Sequence, residues 1–105
     1  MSMTQSMAIL EDDAVYTDLA AIFGALGDPT RAKIVHLLLH GELCTGDIAT
    51  AVGVTDSAVS QHLRLLRSLR LIRSRRDGKF VYHGLDDAHI ALLLQTGLTH
   101  HRERG

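Results

Sequence analysis

The spacing of apolar residues divides the chain into five helix-like segments and one alternating stretch. Ala14 to Leu26 carries Leu19, Ile22, Phe23 and Leu26 at intervals of three and four, which predicts a first helix with one apolar face. In Gly27-Asp28-Pro29-Thr30-Arg31, Asp28 offers a capping oxygen and Pro29 suits the first helical position, so a second helix starts there and reaches about His40. Ile34, Val35, Leu37, Leu38 and Leu39 make it apolar on most sides, as a central helix requires, and Gly41 ends it. Thr45 caps a short third helix, Gly46 to Val52, and Thr55 caps a longer fourth, Asp56 to about Arg70. The period then shortens to two around Asp77-Gly78, which predicts a hairpin. A last helix-like segment spans Leu85 to Glu103, with Asp86-Asp87 at its cap. Met1 to Asp12 is polar and methionine-rich, and reads as a disordered N-terminal arm (1–12) preceding one domain, residues 13–105.

The expected fold class is mostly α with a β-hairpin wing, a winged helix-turn-helix in the order α-α-α-α-β-β-α. In DIATAVGVTDSAVSQHLRLLRSLRLI the inward positions are Ile48, Ala49, Val52, Val54, Val59, Leu63 and Leu66, with Gly53 where the turn needs permissive angles. Asp56, Ser57, Ser60, Gln61, Arg64 and Arg67 point outward on the second helix of the pair. Short hydrogen-bonding groups therefore lie near its N-terminus and cations further along, the order in which a recognition helix meets base edges and then backbone. Arg73, Arg75, Arg76 and Lys79 are expected at or near the hairpin tip, where a wing lies against DNA. His62 points along the recognition helix as a packing or phosphate-contacting residue.

The charge distribution supports that picture. The net charge is −1, but five acids and no Lys or Arg precede Arg31, whereas seven bases and one acid lie between Arg64 and Lys79. A neutral total thus conceals a basic surface suited to phosphates, and double-stranded DNA is the expected partner. At 105 residues one domain is expected, and its core is thin unless a partner contributes surface. No apolar run approaches the ~18 residues of a membrane span, and Met1 to Leu10 lacks the basic start of a signal peptide, so no membrane contact and a cytoplasmic location are expected. The single cysteine, Cys44, excludes an internal disulfide and a CxxC cluster, and reads as a small buried apolar residue. No nucleophile–base pair or Gly-rich phosphate loop is present, so an enzyme is not expected.

The last segment carries a different chemistry. At about 100° per residue His89, His100 and Glu103 project within roughly 60° of one another, with Asp87 at the cap. Eleven residues separate the histidines by roughly 16 Å, too far for one ion with ligand bonds of about 2 Å. Two antiparallel copies could join Asp87 and His89 of one chain to His100 and Glu103 of the other, forming equivalent sites about a twofold axis. Four N/O donors suit zinc, cobalt or a similar divalent ion. Solvated polar ends of a dimer helix are the plainer reading of the same spacing. Among the other histidines, His36 and His40 stand i,i+4 without a further donor, His83 is expected to face the surface, and His101 lies off the stripe.

With GDPTR (27–31), ELCTGDIA (42–49), VSQHLRLLRSLRLI (59–72), RDGKFVYHGL (76–85) and the DxH and HxxE of the last helix, the chain resembles the ArsR/SmtB family of bacterial metal-sensing winged-helix repressors from about Leu19 to Glu103. The last motifs resemble its zinc-sensing branch. That resemblance implies a homodimeric transcriptional repressor on an operator with an inverted repeat, released when zinc binds Asp87, His89, His100 and Glu103 between paired C-terminal helices. It also implies that the ring nitrogen of His100 left free by the metal donates to a backbone carbonyl near Arg70. The alternative is a winged-helix regulator with no metal response, whose last helix serves only dimerisation. The departure is at Leu43-Cys44-Thr45-Gly46, where thiolate-sensing members often carry a second cysteine; a thiolate-rich site is ruled out here.

Overall fold

Ile34, Val35 and Leu38 form the centre on which the other elements pack, and all three are buried. The structure, a computed structural model describing residues 1–104, follows the order α1 (Met3–Ile9), α2 (Asp13–Leu26), α3 (Pro29–Leu38), β1 (Leu43–Cys44), α4 (Thr45–Val52), α5 (Asp56–Ser68), β2 (Ile72–Asp77), β3 (Phe80–Leu85) and α6 (Ala88–Arg104). Ile48 and Ala49 of α4, Val59, Leu63 and Leu66 of α5, and Leu71 and Ile72 complete the core, joined by Ala25 of α2 and Ile90 of α6. Each fully buried Leu or Ile here is worth about 1.5–3 kcal/mol of apolar transfer.

Two caps follow the sequence and one does not: Thr45 is the first residue of α4, whose N-cap is Cys44 with no side-chain cap bond, and Thr45 Oγ1 instead lies 2.9 Å from His83 Nε2. The Asp28 carboxylate accepts the Arg31 N–H at 2.9 Å and starts α3 with Pro29 in its first turn. That bond holds the Asp28 carboxyl below its usual value. Thr55 Oγ1 accepts the Ala58 N–H at 3.1 Å to start α5. Between α4 and α5, Gly53 sits at φ 82°, a left-handed conformation that costs a side-chain-bearing residue roughly 1–2 kcal/mol.

The wing differs from expectation in three details. The hairpin pairs Asp77 with Phe80, so its two loop residues are Gly78 and Lys79, one position later than the Asp-Gly signal. Gly78 alone in the loop has positive φ (62°), as a type II′ turn requires of its first loop residue. A third strand, β1, pairs antiparallel with β3 through Leu43–His83 and Cys44–Tyr82, giving the sheet order β1-β3-β2. α5 also stops at Ser68: the Leu71 N–H bonds to the Leu66 carbonyl and the Arg70 N–H to the Arg67 carbonyl, both at 3.0 Å. This is a Schellman ending with Arg70, at φ 59°, in the position usually given to glycine.

Two further observations concern the surface. Met3–Ile9, expected as part of a disordered arm, is helical, with a capping box in which Ser2 and Gln5 bond each other's backbone N–H. It buries no side chain. Val15, Tyr16, Leu19 and Phe23 form an exposed apolar stripe on α2, whose only buried residue is Ala25. Leu92 and Leu93 are likewise exposed on α6.

Candidate nucleic-acid interface and metal centre

α5 buries Val59, Leu63 and Leu66 and leaves Ser57, Ser60, Gln61 and Arg64 exposed, as the helical period requires. The remaining basic residues divide by what already holds them. Arg67 Nη1 donates to Ser74 Oγ at 3.0 Å, tying the last turn of α5 to the wing. Arg73 is not at the wing tip: it pairs with Gly84 near the base and donates to the Leu85 carbonyl at 2.6 Å. Arg75 leans back on the loop before β1, with Nη2 3.0 Å from Glu42 Oε1 and its guanidinium 5.0 Å from the Tyr82 ring. That contact lowers the Glu42 pKa and raises that of Arg75. His62 turns inward, its Nδ1 3.3 Å from Arg31 Nη1. Among the described residues, Arg64, Arg76 and Lys79 are exposed cations with no ion-pair partner.

These placements predict unequal effects on DNA. Arg76→Ala is expected to weaken binding to all sequences and to reduce the salt slope by about one charge. Arg75→Ala changes wing position as well as charge, so it is expected to alter sequence preference too. Anisotropy titrations at several salt concentrations, on specific and scrambled duplexes, separate the two; identical behaviour of both variants would contradict the division.

His83, expected at the surface, is buried between the wing and the helix-turn-helix. Its Nδ1 lies 2.7 Å from Ser74 Oγ and its Nε2 2.9 Å from Thr45 Oγ1. Ser74 Oγ also accepts from the Arg67 guanidinium, so one hydroxyl joins the last turn of α5 to the buried imidazole. Burial, with the Arg67 charge adding to it, pushes the His83 pKa below the ordinary 6.5. Below about pH 6.5 the unfolded chain therefore takes up a proton that the folded one refuses, and stability falls as pH drops toward the depressed folded value. Denaturant midpoints across this range should fall in the parent and fall less in His83→Gln. Equal slopes would contradict the assignment.

At the start of α6, Asp87 Oδ1 accepts the N–H groups of His89 (2.9 Å) and Ile90 (3.2 Å). Asp87 is thus the N-cap, and its carboxylate stands 3.6 Å from His89 Nδ1. At the other end, His100 and Glu103 line an open groove of about 410 Å³ with Leu92, Gln95, Thr96 and Thr99. Within one chain, no three His, Cys, Asp or Glu residues come together as a metal-binding group among the described residues. The donors therefore stand as two separated pairs, each a carboxylate beside an imidazole. This donor chemistry fits a divalent ion only if a second chain supplies the other half.

Comparison with known proteins places the chain. The bacterial regulatory protein family arsR matches residues 28–74, from the start of α3 into β2. A cadmium resistance transcriptional regulatory protein CadC homolog from Staphylococcus aureus is 44% identical over 87 residues, 82% of this chain and 72% of that one. The chain belongs to the ArsR family. A transcriptional repressor SmtB homolog from Synechocystis is also 44% identical, over 85 residues, covering 81% of this ArsR-family chain and 64% of the relative. The solution structure of a homodimeric winged helix-turn-helix DNA-binding domain from Mycobacterium bovis, described as a possible ArsR-family regulator, superposes with a TM-score of 0.80 at 29% identity. It covers 90% of each chain. This ArsR-family chain is accordingly a winged helix-turn-helix transcriptional regulator and not an enzyme.

Proposed function

We propose that this regulator is a metal-responsive repressor that binds operator DNA as a homodimer and releases it when zinc, cobalt or a similar divalent ion binds between the two α6 helices. The observation that carries this reading is the pair of half-sites on α6. Asp87 with His89 and His100 with Glu103 occupy opposite ends of a helix whose middle exposes Leu92 and Leu93. Antiparallel pairing of that helix with its copy buries the leucines and completes two equivalent sites. The exposed stripe of Val15, Tyr16, Leu19 and Phe23 on α2 joins the same interface. The relatives' descriptions, one a cadmium resistance regulator and one a repressor, agree in kind but leave the ion open. A purely imidazole and carboxylate set favours zinc or cobalt over thiophilic ions.

On DNA, Ser57, Ser60, Gln61 and Arg64 enter the major groove, while Arg76 and Lys79 hold the backbone; Arg67 ties the wing to α5, Arg73 closes the base of the hairpin and Arg75 ties it to Glu42. Twofold symmetry then calls for an imperfect inverted repeat with half-sites about one helical turn apart, or a multiple of it. The Arg70 carbonyl, which accepts no hydrogen bond among the described residues, is the acceptor we assign to His100. It lies at the end of α5, so the orientation of His100 becomes linked to the spacing of the recognition helices. Like other bacterial DNA-binding regulators the protein would act in the cytoplasm, with residues 1–12 as an arm appended to the domain 13–105. The experiment is fluorescence anisotropy of a labelled inverted-repeat duplex titrated with protein, with and without zinc or cobalt. Metal-induced release supports the proposal. Equal affinity in both conditions would leave the rival, a metal-blind regulator whose α6 only dimerises.

A further inference from the structure

His36 and His40 belong neither to the DNA-facing surface nor to α6. We propose that they form a second divalent-cation site, taking one copper(II), nickel(II) or similar late transition ion per protomer, where the end of α3 meets α4. Leu39 keeps helical angles, so His40 continues the face of α3 and stands one turn beyond His36. Their ring centroids lie 6.0 Å apart, with planes tilted by 39°. Two imidazoles in neighbouring positions of a square-planar or octahedral ion, at metal–nitrogen distances of about 2.0–2.1 Å, hold their centroids roughly 4.5 Å apart. Closing the remaining gap of about 1.5 Å takes side-chain rotation and no change of backbone.

The surroundings leave these nitrogens free. His62 and His83 are committed to Arg31 and to Thr45 and Ser74, whereas the rings of His36 and His40 make no hydrogen bond among the described residues. Both line an open cleft of about 370 Å³ with Lys33, Leu37, Ala51 and Val52, roomy enough for an ion to keep waters as its other ligands. Two neutral nitrogen donors without carboxylate or thiolate disfavour magnesium and calcium. They rank the first-row divalent ions in the usual order, which peaks at copper. Lys33 opposes binding: its ammonium stands three residues before His36 on the same face and repels a cation. The site is therefore weaker than the one proposed on α6. It also needs only one chain, whereas the α6 site needs two.

Lys33 also supplies the second arm of the test, because Lys33→Glu replaces the repulsion with a third ligand. Equilibrium dialysis of the full chain against nickel chloride should show one ion fewer per protomer in His40→Gln than in the parent. Lys33→Glu should bind that ion at least tenfold more tightly. Copper(II) added to saturation should give electron paramagnetic resonance spectra whose difference, parent minus His40→Gln, shows two coupled nitrogens from this site. His40 is exposed and caps nothing, so its replacement leaves the fold intact. Equal nickel stoichiometry in parent and His40→Gln, or an affinity unmoved by Lys33→Glu, overturns the proposal.

Discussion

Replacing Leu92 with Glu is expected to convert the protein into monomers and to lower operator affinity at least a hundredfold while each chain stays folded. Leu92 is 62% exposed in the isolated chain, so a carboxylate there costs the monomer little. In the paired arrangement the same position is covered. Burying one Leu is worth about 1.5–3 kcal/mol, and symmetry counts it twice, so about 3–6 kcal/mol leaves the interface. At 1.4 kcal/mol per decade this is roughly two to four orders of magnitude in dimer dissociation, before the repulsion of two like charges is added. DNA affinity follows because one wing and one recognition helix hold half an operator. Sedimentation equilibrium and circular dichroism check both halves of the expectation. A dimer that survives in Leu92→Glu would mean that α6 is not the interface.

The second large effect is expected at His100. His100→Gln should abolish metal-driven release even where some metal still binds, because in the proposed mechanism it removes both a ligand and the link from that ring to the Arg70 carbonyl. Glu103→Gln removes only a ligand and should keep part of the response. Coupling between two sites of this kind is typically about 1–3 kcal/mol, so metal weakens the parent's operator affinity by roughly 5- to 150-fold, and DNA weakens metal binding by the same factor. Operator titrations of each variant with and without zinc give these ratios directly. Full zinc-induced release by His100→Gln would remove Arg70 from the account.

How far the residues alone lead differs from one part of the fold to another. The helix-turn-helix was legible because several local signals agree: Thr55 as a cap, Gly53 at positive φ, and Val59, Leu63 and Leu66 at the helical period. The helix α1 was hidden by the absence of an apolar face, although Ser2 and Gln5 already form a capping box. β1 has two residues, too few to show any period, and exists only through its pairing with β3. That pairing, with α4 and β2 alongside, also explains His83: the strand is covered on the side that carries Val81, His83 and Leu85. Charge counting located the basic wing but could not reveal that Arg75 is held by Glu42, 33 positions earlier, or that Arg73 serves the base of the hairpin. The spacing of Asp87, His89, His100 and Glu103 sets the two pairs too far apart for one helix to close a site. The proposed joining of the halves needs a second chain.

Mixing two complementary variants tests that joining most directly. One chain carries Asp87→Ala and His89→Ala, the other His100→Ala and Glu103→Ala, both with His40→Gln so that the cleft between α3 and α4 stays silent. Dimers of either variant contain no complete site. In the mixed dimer one site is doubly mutated and the other is intact, so zinc should bind neither variant alone and should bind one ion per mixed dimer. Tight zinc binding by either variant on its own, or none after mixing under conditions where the mixed dimer is shown to form, would contradict a regulatory site shared between two α6 helices.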